Sequence, residues 1–466
     1  KQYGLFGEQL RLEADMDRFV EHYRKVSDVR TDSITEQADQ EKGYRAFKSQ
    51  KTPGWWKDKV ACDLFTYAFF QRYPEGLKET DVVDTELLLK QLNSAGSSNA
   101  ALEAKALELS ERERFFHWPL EFPDVWKRGG FDVVLANPPW EQVELKETEF
   151  FAERDATISA AEGAKRKELI NSLVETNAAL HVEYVDALHA FNAQRKFICE
   201  SGVLALVISG RTNLYSVFAE SIMKHLNERG RAGFIVPTGI ATEDGNKMFF
   251  GFLVDQKRLV SLYDFQNSTS TSRFFPNVHP QFKFTLLTLT GGLAVEASSF
   301  GFFLQDVLDL NDTRRVFELA KADFQRINPN SLTCPIFRTV QDAHLTALIY
   351  NRLPVLKAAS TSQNSWGVTF KQGLFNMTTD SRLFRSGEML LTEFGPPKGN
   401  RYVKGQSRWL PLYEGKMLAF YEHRFADVVV NAANVNRAGQ PEMLTNDELQ
   451  DSTRLPIPRY FVNHTD

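Results

Sequence analysis

The most distinctive residues in the chain are the consecutive Asn137, Pro138, Pro139 and Trp140. The Asn137 side-chain oxygen and the Pro138 backbone carbonyl can each accept a hydrogen bond from one N–H of an aromatic amine. Such a pair of acceptors favours a more localised lone pair on the amine nitrogen. Two successive prolines fix φ near about −65° and remove two backbone donors, so the loop is stiff and presents acceptors only. Trp140 supplies a flat face on which a planar base can stack. The tetrapeptide predicts a site that binds an aromatic amine and makes its nitrogen a better nucleophile.

A short apolar run positions this tetrapeptide. Residues 131–136 form a strand-like segment that follows Gly129-Gly130 and ends directly at Asn137. In α/β sheets, ligands bind outside the carboxyl ends of strands, which is where residues 137–140 would lie. The alternative is a Pro-Pro turn that merely ends a strand, with Asn137 as a turn former and Trp140 in the core.

The wider pattern indicates an α/β fold. Strands alternating with helices imply a sheet with crossover connections. Residues 1–120 and 141–200 are typical of helices, and we expect Thr52-Pro53-Gly54 to interrupt the first of these regions. The predicted downstream strands are 203–208, 232–236, 259–265 and 282–289, with helices at 214–226 and 248–254.

Residues 131–140 resemble the catalytic strand and loop of adenine-specific N6 DNA methyltransferases of the Asn-Pro-Pro-aromatic type. Residues 212–215, 230–237 and 274–276 are similar to further segments of that family. The resemblance implies the C-terminal half of a Rossmann-like class I methyltransferase sheet, S-adenosylmethionine as the cofactor and double-stranded DNA as the partner. It implies catalytic roles for residues 137–140 and contact between Phe275 and an adenine flipped out of the duplex, with no metal. The alternative for Phe275 is an ordinary apolar residue at a strand entry.

Two further segments, 116–122 and 410–416, are similar to the large single-chain methylases. These include type IIG restriction–modification enzymes and the PglX-like methylases of the BREX and DISARM phage-defence systems. The resemblance implies that other defence-system subunits are possible partners. The family's glycine-rich cofactor loop, Asp-Pro-x-x-Gly-x-Gly, is not found in this sequence. We expect that loop before Lys1, in a longer protein, and name no cofactor-binding residue.

A basic stretch late in the sequence predicts contact with DNA. It contains Lys398, Arg401, Lys404 and Arg408. Glycines make it flexible, and Tyr402 and Trp409 interleave with the cations. Such a loop can follow a phosphate backbone, and a solvated surface loop is the alternative. Arg382 and Arg385 are either base readers or surface residues.

Composition limits the class of protein. The chain has 466 residues, with 55 Lys and Arg against 60 Asp and Glu, a net charge of −5. This balance argues against a nucleic-acid coat or a polybasic membrane binder, but it allows an enzyme with one basic cleft. The three cysteines are widely spaced, which favours a reducing compartment, and no apolar run approaches the ~20 residues that span a bilayer. We therefore expect a cytoplasmic protein without a membrane partner.

We predict four segments in the chain. A helical insert or scaffold covers 1–128, a methyltransferase catalytic half-domain 129–293, a connector 294–345, and the start of an α+β DNA target-recognition domain 346–466. The main alternative is a non-catalytic DNA-recognition or assembly subunit. A glutamine methyltransferase acting on release factors shares the loop, but those enzymes are small and lack a basic tail. Asp132 with Glu144-x-Lys146 resembles a nuclease pattern only superficially, so we expect any nuclease domain to lie outside this segment.

Overall fold

The computed structural model describes the chain in segments. The described residues are 20–21, 23–26, 32–48, 53–74, 78, 81–93, 99–207, 212–267, 273–359, 364, 366–369, 373–376, 379–430 and 439–465. Contacts divide the chain into two compact units, unit 1 (Lys1–Trp366) and unit 2 (Gly367–Asp466).

Helices dominate the chain as far as His225, and most strands follow that residue. The helices are α1 (Ile34–Phe47), α2 (Pro53–Phe70), α3 (Thr85–Asn93), α4 (Ala100–Glu113), α5 (Trp118–Glu121), α6 (Pro123–Lys127), α7 (Glu147–Ala152), α8 (Ala156–Ala160), α9 (Gly163–Thr176), α10 (Ala178–Glu200), α11 (Leu214–His225), α12 (Gly239–Thr242), α13 (Lys247–Asp255), α14 (Lys321–Ile327), α15 (Val340–Arg352), α16 (Gly387–Phe394) and α17 (Asn446–Gln450). The strands are β1 (Phe131–Ala136), β2 (Leu226–Pro237), β3 (Leu259–Gln266), β4 (Lys283–Thr290), β5 (Ala297–Leu304), β6 (Val316–Ala320), β7 (Phe384–Arg385), β8 (Tyr402–Lys404), β9 (Ser407–Pro411), β10 (Ala426–Val430), β11 (Gly439–Met443) and β12 (Phe461–Asn463). No helix in the described ranges combines the length and apolarity that crossing a bilayer requires.

Unit 1 is built on a mixed six-stranded sheet with the order β1-β2-β4-β3-β5-β6. Strands β1 and β2 are parallel, as are β3 and β5, while β4 is antiparallel to both of its neighbours. The predicted α/β fold is therefore confirmed, and the finer Rossmann-like arrangement stays a prediction. Residues 294–345, predicted as a connector, contribute β5 and β6 to this sheet. The functional roles of the four predicted segments stay predictions.

One face of β2 packs in the core of unit 1. Phe234 of β2 lies in a core cluster with Ala219 of α11 and Phe250 of α13. On the opposite face, at the end of the sheet, Val133 and Leu135 of β1 are 64% and 81% exposed. The apolar composition of β1 therefore does not make it a buried strand. Strand β1 is an edge strand whose only partner in the described part of the chain is β2.

One predicted strand does not form. Residues 203–207 have irregular backbone, and residue 208 lies outside the described part of the chain. The carboxylate of Glu220 in α11 is fully buried and accepts hydrogen bonds from the backbone amides of Ala205 and Leu206, each at 2.9 Å. Because this side chain satisfies amides that a neighbouring strand would otherwise bind, the apolar run folds against α11 without joining the sheet.

The predicted interruption near Thr52-Pro53-Gly54 is confirmed, because α1 ends at Phe47 and the next helix begins within this tripeptide. Helix α2 begins at Pro53 and continues to Phe70. Proline is well tolerated in the first turn of a helix, where its missing N–H would have no intrahelical partner. The other predicted helical regions are confirmed by α3 to α5 and α7 to α10, while residues 1–19 lie outside the described ranges.

An aromatic segment, residues 117–122, joins the helical region to the start of β1. His117 Nε2 lies 2.8 Å from a carboxylate oxygen of the fully buried Asp63 in α2. The next residue, Trp118, places its ring 5.6 Å from that of Phe131, in an edge-to-face contact. Helices α2 and α5 therefore fix the position at which β1 enters the sheet.

Unit 2 contains a four-stranded sheet, with the order β7-β12-β9-β8, and a separate β10-β11 pair. Its core consists of Leu390 from α16 with Tyr402, Trp409 and Phe461 from the four-stranded sheet. The short strands predicted for this part of the chain are confirmed.

Candidate active site

The 137–140 loop begins where β1 ends, at the carboxyl ends of the parallel pair β1 and β2. Asn137 and Pro139 are exposed, whereas Pro138 is buried and holds the loop against the sheet. The Asn137 side chain has no hydrogen-bond partner among the residues that the structure describes. The amide is therefore available to a ligand, while the prolines keep the backbone beside it stiff.

Trp140 is only partly buried. Its Nε1 donates a hydrogen bond to the Ile235 carbonyl of β2 at 3.3 Å, which fixes the ring. The ring centroid lies 6.0 Å from that of Phe275, and the two planes meet at 72°. The structure thus brings Trp140 and Phe275 together, two residues that the sequence analysis selected from distant segments. The edge-to-face contact forms an aromatic corner, which we call the Trp140–Phe275 corner.

Phe275 packs against the sheet as well as against Trp140. Its ring lies 5.0 Å from that of Phe284 in β4, at 84°. Phe284 in turn stacks on Phe265 of β3 at 5.6 Å. These contacts explain why Phe275 is partly buried. Both predictions for this residue, adenine contact and apolar packing, are compatible with its position.

The loop is clamped from its downstream side by residues 212–214. Leu214 N donates to the Glu141 carbonyl at 2.8 Å, and Val143 N donates to the Thr212 carbonyl at 3.1 Å. Gln142 and Asn213 form an antiparallel bridge between these contacts. Residues 212–215, which are similar to a further segment of the family, therefore lie beside the residues that directly follow the 137–140 loop.

Asn267 also belongs to this site, although the sequence analysis did not select it. Its side chain is bonded to the loop that carries Phe275, with Phe275 N donating to its Oδ1 at 2.9 Å. The available signal was its position directly after β3, because a polar residue at a strand's carboxyl end in an α/β sheet is a site candidate. That signal was weak, since polar residues commonly end strands.

A buried carboxylate lies near the carboxyl end of β3. Asp264 is 1% exposed and accepts hydrogen bonds from Thr238 Oγ1 and, at 3.0 Å, from Phe303 N. Lys283 Nζ is 3.9 Å away. These contacts join β2, β3, β4 and β5 at the edge that holds the aromatic corner. Asp264 is thus a structural carboxylate with its own partners.

The basic stretch of unit 2 is not the flexible loop that we predicted. Strands β8 and β9 form a hairpin through it, in which Tyr402 pairs with Trp409. Both aromatic rings are buried in the core of unit 2, so they are unavailable to bases. Lys398, Arg401, Lys404 and Arg408 are all exposed. Arg408 lies on the opposite face of the hairpin from the paired Tyr402 and Trp409, and the exposed cations, not the rings, are available to a phosphate backbone.

The two arginines with alternative interpretations differ in their surroundings. Arg382 is exposed. Arg385 forms an ion pair with Glu393 at 2.5 Å and lies over the Trp409 ring, 4.9 Å from its centroid. Arg385 therefore has structural partners within unit 2.

The structure does not bring together the residues of the superficial nuclease pattern. Asp132 accepts a hydrogen bond from Asn227 at 2.6 Å. Lys146 instead donates to Glu149 at 2.8 Å, and this hydrogen bond raises the pKa of the Lys146 amine. Within the described ranges, no three His, Cys, Asp or Glu side chains are grouped so that they could hold a metal ion.

The described residues fit one side of a methyl-transfer site. They provide acceptors and an aromatic corner for a planar amine. Upstream of β1, helices fill the described chain, and no strand with a glycine-rich turn is found there. We therefore assign no residue to the cofactor.

A family model described as "Eco57I restriction-modification methylase" matches residues 77–183. The matched segment contains β1 and the 137–140 loop. No match is found among curated protein sequences.

Solved structures of restriction–modification proteins are also similar, at low identity. The type IIG restriction endonuclease BpuSI is 13% identical with a TM-score of 0.29, covering 85% of this chain and 43% of that one. The type I methyltransferase subunit from Streptococcus thermophilus is 11% identical with a TM-score of 0.23, covering 45% and 39%. The EcoKI M protein is 10% identical with a TM-score of 0.23, covering 72% and 92%. The chain thus spans less than half the length of BpuSI and of the Streptococcus thermophilus subunit. The family match confirms the predicted resemblance to restriction–modification methylases for the segment that carries the candidate loop.

Proposed function

We propose that the chain is part of a DNA methyltransferase that modifies the exocyclic N6 amine of adenine in a specific DNA sequence. The enzyme would use S-adenosylmethionine and act within a restriction–modification or phage-defence system. The observation that carries the proposal is the 137–140 loop at the end of β1, beside the Trp140–Phe275 corner. The exposed Asn137 amide of this loop has no hydrogen-bond partner among the described residues. The family match to residues 77–183 supports methyl transfer as the reaction class.

The residues present account for the adenine side of the reaction. The Asn137 oxygen and the Pro138 carbonyl accept hydrogen bonds from the two N–H groups of the amine. This opposes delocalisation of the nitrogen lone pair into the ring. S-adenosylmethionine, when bound, supplies an electrophilic methyl group. The amine nitrogen would take this methyl group as the S–CH3 bond breaks and its electron pair stays on sulfur, and one N–H proton would then leave to solvent.

The aromatic corner explains how an extrahelical base could be held. Flipping a base out of a duplex costs a few kcal/mol, and stacking on an aromatic ring returns about 1–3 kcal/mol. Because Trp140 and Phe275 meet edge to face, a base can stack on one ring while its edge faces the other. Stacking in this way aligns the amine with its two acceptors. This alignment is the main catalytic contribution of these residues.

The test is methyl transfer by the full-length protein. Unmethylated DNA of mixed sequence is incubated with tritiated S-adenosylmethionine, and incorporation is compared between the wild type and Asn137→Ala. Because the Asn137 side chain is exposed, we expect the variant to fold and bind DNA but to transfer no methyl group. An Asn137→Ala variant that methylates like the wild type would show that the site is elsewhere.

A further inference from the structure

Asn267 makes three side-chain hydrogen bonds to a single loop. Its Nδ2 donates to the Phe275 carbonyl at 3.1 Å and to the Val278 carbonyl at 2.9 Å. Its Oδ1 accepts from Phe275 N at 2.9 Å. A primary amide has two N–H donors and one carbonyl oxygen, so both donors and the acceptor are used on residues 275–278.

Asn267 itself is rigidly held. It follows β3 directly, is 1% exposed, and its backbone N–H donates to the Phe282 carbonyl at 3.2 Å. Residues 275–278 form a turn, closed by a Val278 N to Phe275 O hydrogen bond at 3.1 Å, and lie outside the sheet ladder. The turn that carries Phe275 is thus attached to the end of β3 through this side chain.

We infer that Asn267 is a positioning residue for the bound base, which it influences through Phe275. This inference rests on the function proposed above. The side chain reaches both the N–H and the C=O of Phe275, so it fixes the direction in which the ring leaves the backbone. That direction sets the 6.0 Å separation from the Trp140 ring. Without Asn267, the turn keeps its own hydrogen bond and the packing of Phe275 on Phe284, but it loses its side-chain hydrogen bonds to the end of β3.

The predicted consequence is a defect in the rate of methyl transfer. A displacement of about 1 Å in a group that orients a substrate can slow a reaction by about 100-fold. We expect Asn267→Ala to lower kcat by about 10- to 100-fold with a smaller change in KM for DNA, because the surface that binds phosphates is unchanged. Asn267→Ser is the milder variant and should give an intermediate kcat.

Asn328 offers a matched control. Its Nδ2 also joins a nearby loop, donating to the Thr333 carbonyl at 2.9 Å, and its hydrogen-bond partners in the described chain lie in residues 324–333. The experiment uses the full-length protein and measures kcat, KM and the unfolding temperature. It also measures the fluorescence of a 2-aminopurine placed at the mapped target adenine. We expect Asn328→Ala to lose thermal stability while keeping the wild-type kcat and fluorescence.

The outcomes separate this inference from the proposed function. A reduced kcat and an altered 2-aminopurine signal in a folded Asn267 variant support the inference. Wild-type kcat in both Asn267 variants, with the same thermal destabilisation as Asn328→Ala, would overturn it. If Asn267→Ala does not fold, Asn267→Ser is combined with Phe275→Leu, and full additivity of the two effects on kcat would equally overturn it. A wild-type protein that methylates no DNA defeats the proposed function instead.

Discussion

The role assigned to Trp140 can be tested by separating its stacking surface from its packing. Replacing a fully buried Phe or Trp by Ala typically costs about 3–5 kcal/mol in the free energy of unfolding. Trp140 is only partly buried, so we expect about half of that cost, roughly 2 kcal/mol, in Trp140→Ala. Trp140→Phe retains an aromatic face and loses mainly the 3.3 Å hydrogen bond to the Ile235 carbonyl, worth about 1 kcal/mol.

The effect on methylation can be separated from the effect on stability. Removing a stacking partner costs about 1–3 kcal/mol per base, which corresponds to about a 5- to 150-fold loss in occupancy of the flipped state. Trp140→Ala should therefore slow single-turnover methyl transfer within that range, while Trp140→Phe stays within a few-fold of the wild type. Trp56→Ala, which removes a partly buried ring of the helical region, is the control for destabilisation alone.

The assay is single-turnover transfer of a tritiated methyl group at saturating DNA, with thermal unfolding measured on the same preparations. Equal rates for Trp140→Ala and Trp140→Phe would refute the stacking argument. So would a wild-type rate in Trp140→Ala, because the ring would then be a packing residue only.

Three further predictions concern stability and DNA affinity. Replacing Glu220 by Ala leaves two backbone amides without their buried acceptor and should cost about 3–5 kcal/mol in urea unfolding; a loss below about 1 kcal/mol would contradict the buried geometry. Burial lowers the pKa of His225, so the folded state binds its proton less readily than the unfolded state, and stability should fall as the pH drops below about 6.5. Thermal unfolding of His225→Gln, measured between pH 7.5 and 5.5, should lack this loss of stability at low pH. If the variant loses stability like the wild type, another group is responsible for the pH dependence. Replacing Arg401 and Arg408 together by Ala should reduce the slope of log affinity against log salt concentration by about 0.9 for each DNA phosphate that is no longer neutralised. The reduction should be the same for every DNA sequence tested. An unchanged slope would show that the hairpin is a solvated surface.

The fold was predictable where the pattern was local. Strand β1 and the 137–140 loop follow from an apolar run that ends at consecutive prolines. The strand predicted at 203–208 does not form, although that run is equally apolar. Its backbone amides donate hydrogen bonds to Glu220, a residue that follows the run in the chain. The exposure of Leu135 could not be predicted from the sequence either, because it depends on the position of β1 at the edge of the sheet.

The site was predictable from residue chemistry and resemblance, and less so in its supporting interactions. Trp140 and Phe275 could be selected individually, but their contact depends on β4 lying between β2 and β3. Asn267 carries no local signature, because its three hydrogen bonds join it to a turn that only the folded chain brings near. For the basic hairpin, the sequence analysis selected residues that the fold then places differently. The glycines indicated a flexible loop, whereas Tyr402 and Trp409 pair across two strands and are buried.

The most direct measurement is the identity of the methylated base. The full-length protein is expressed in cells that lack adenine methylation, and nucleosides from their DNA are analysed by mass spectrometry. The account predicts N6-methyl-2′-deoxyadenosine with the wild type and none with Asn137→Ala. Methylation of another base by the wild type, or adenine methylation that persists in Asn137→Ala, would contradict it.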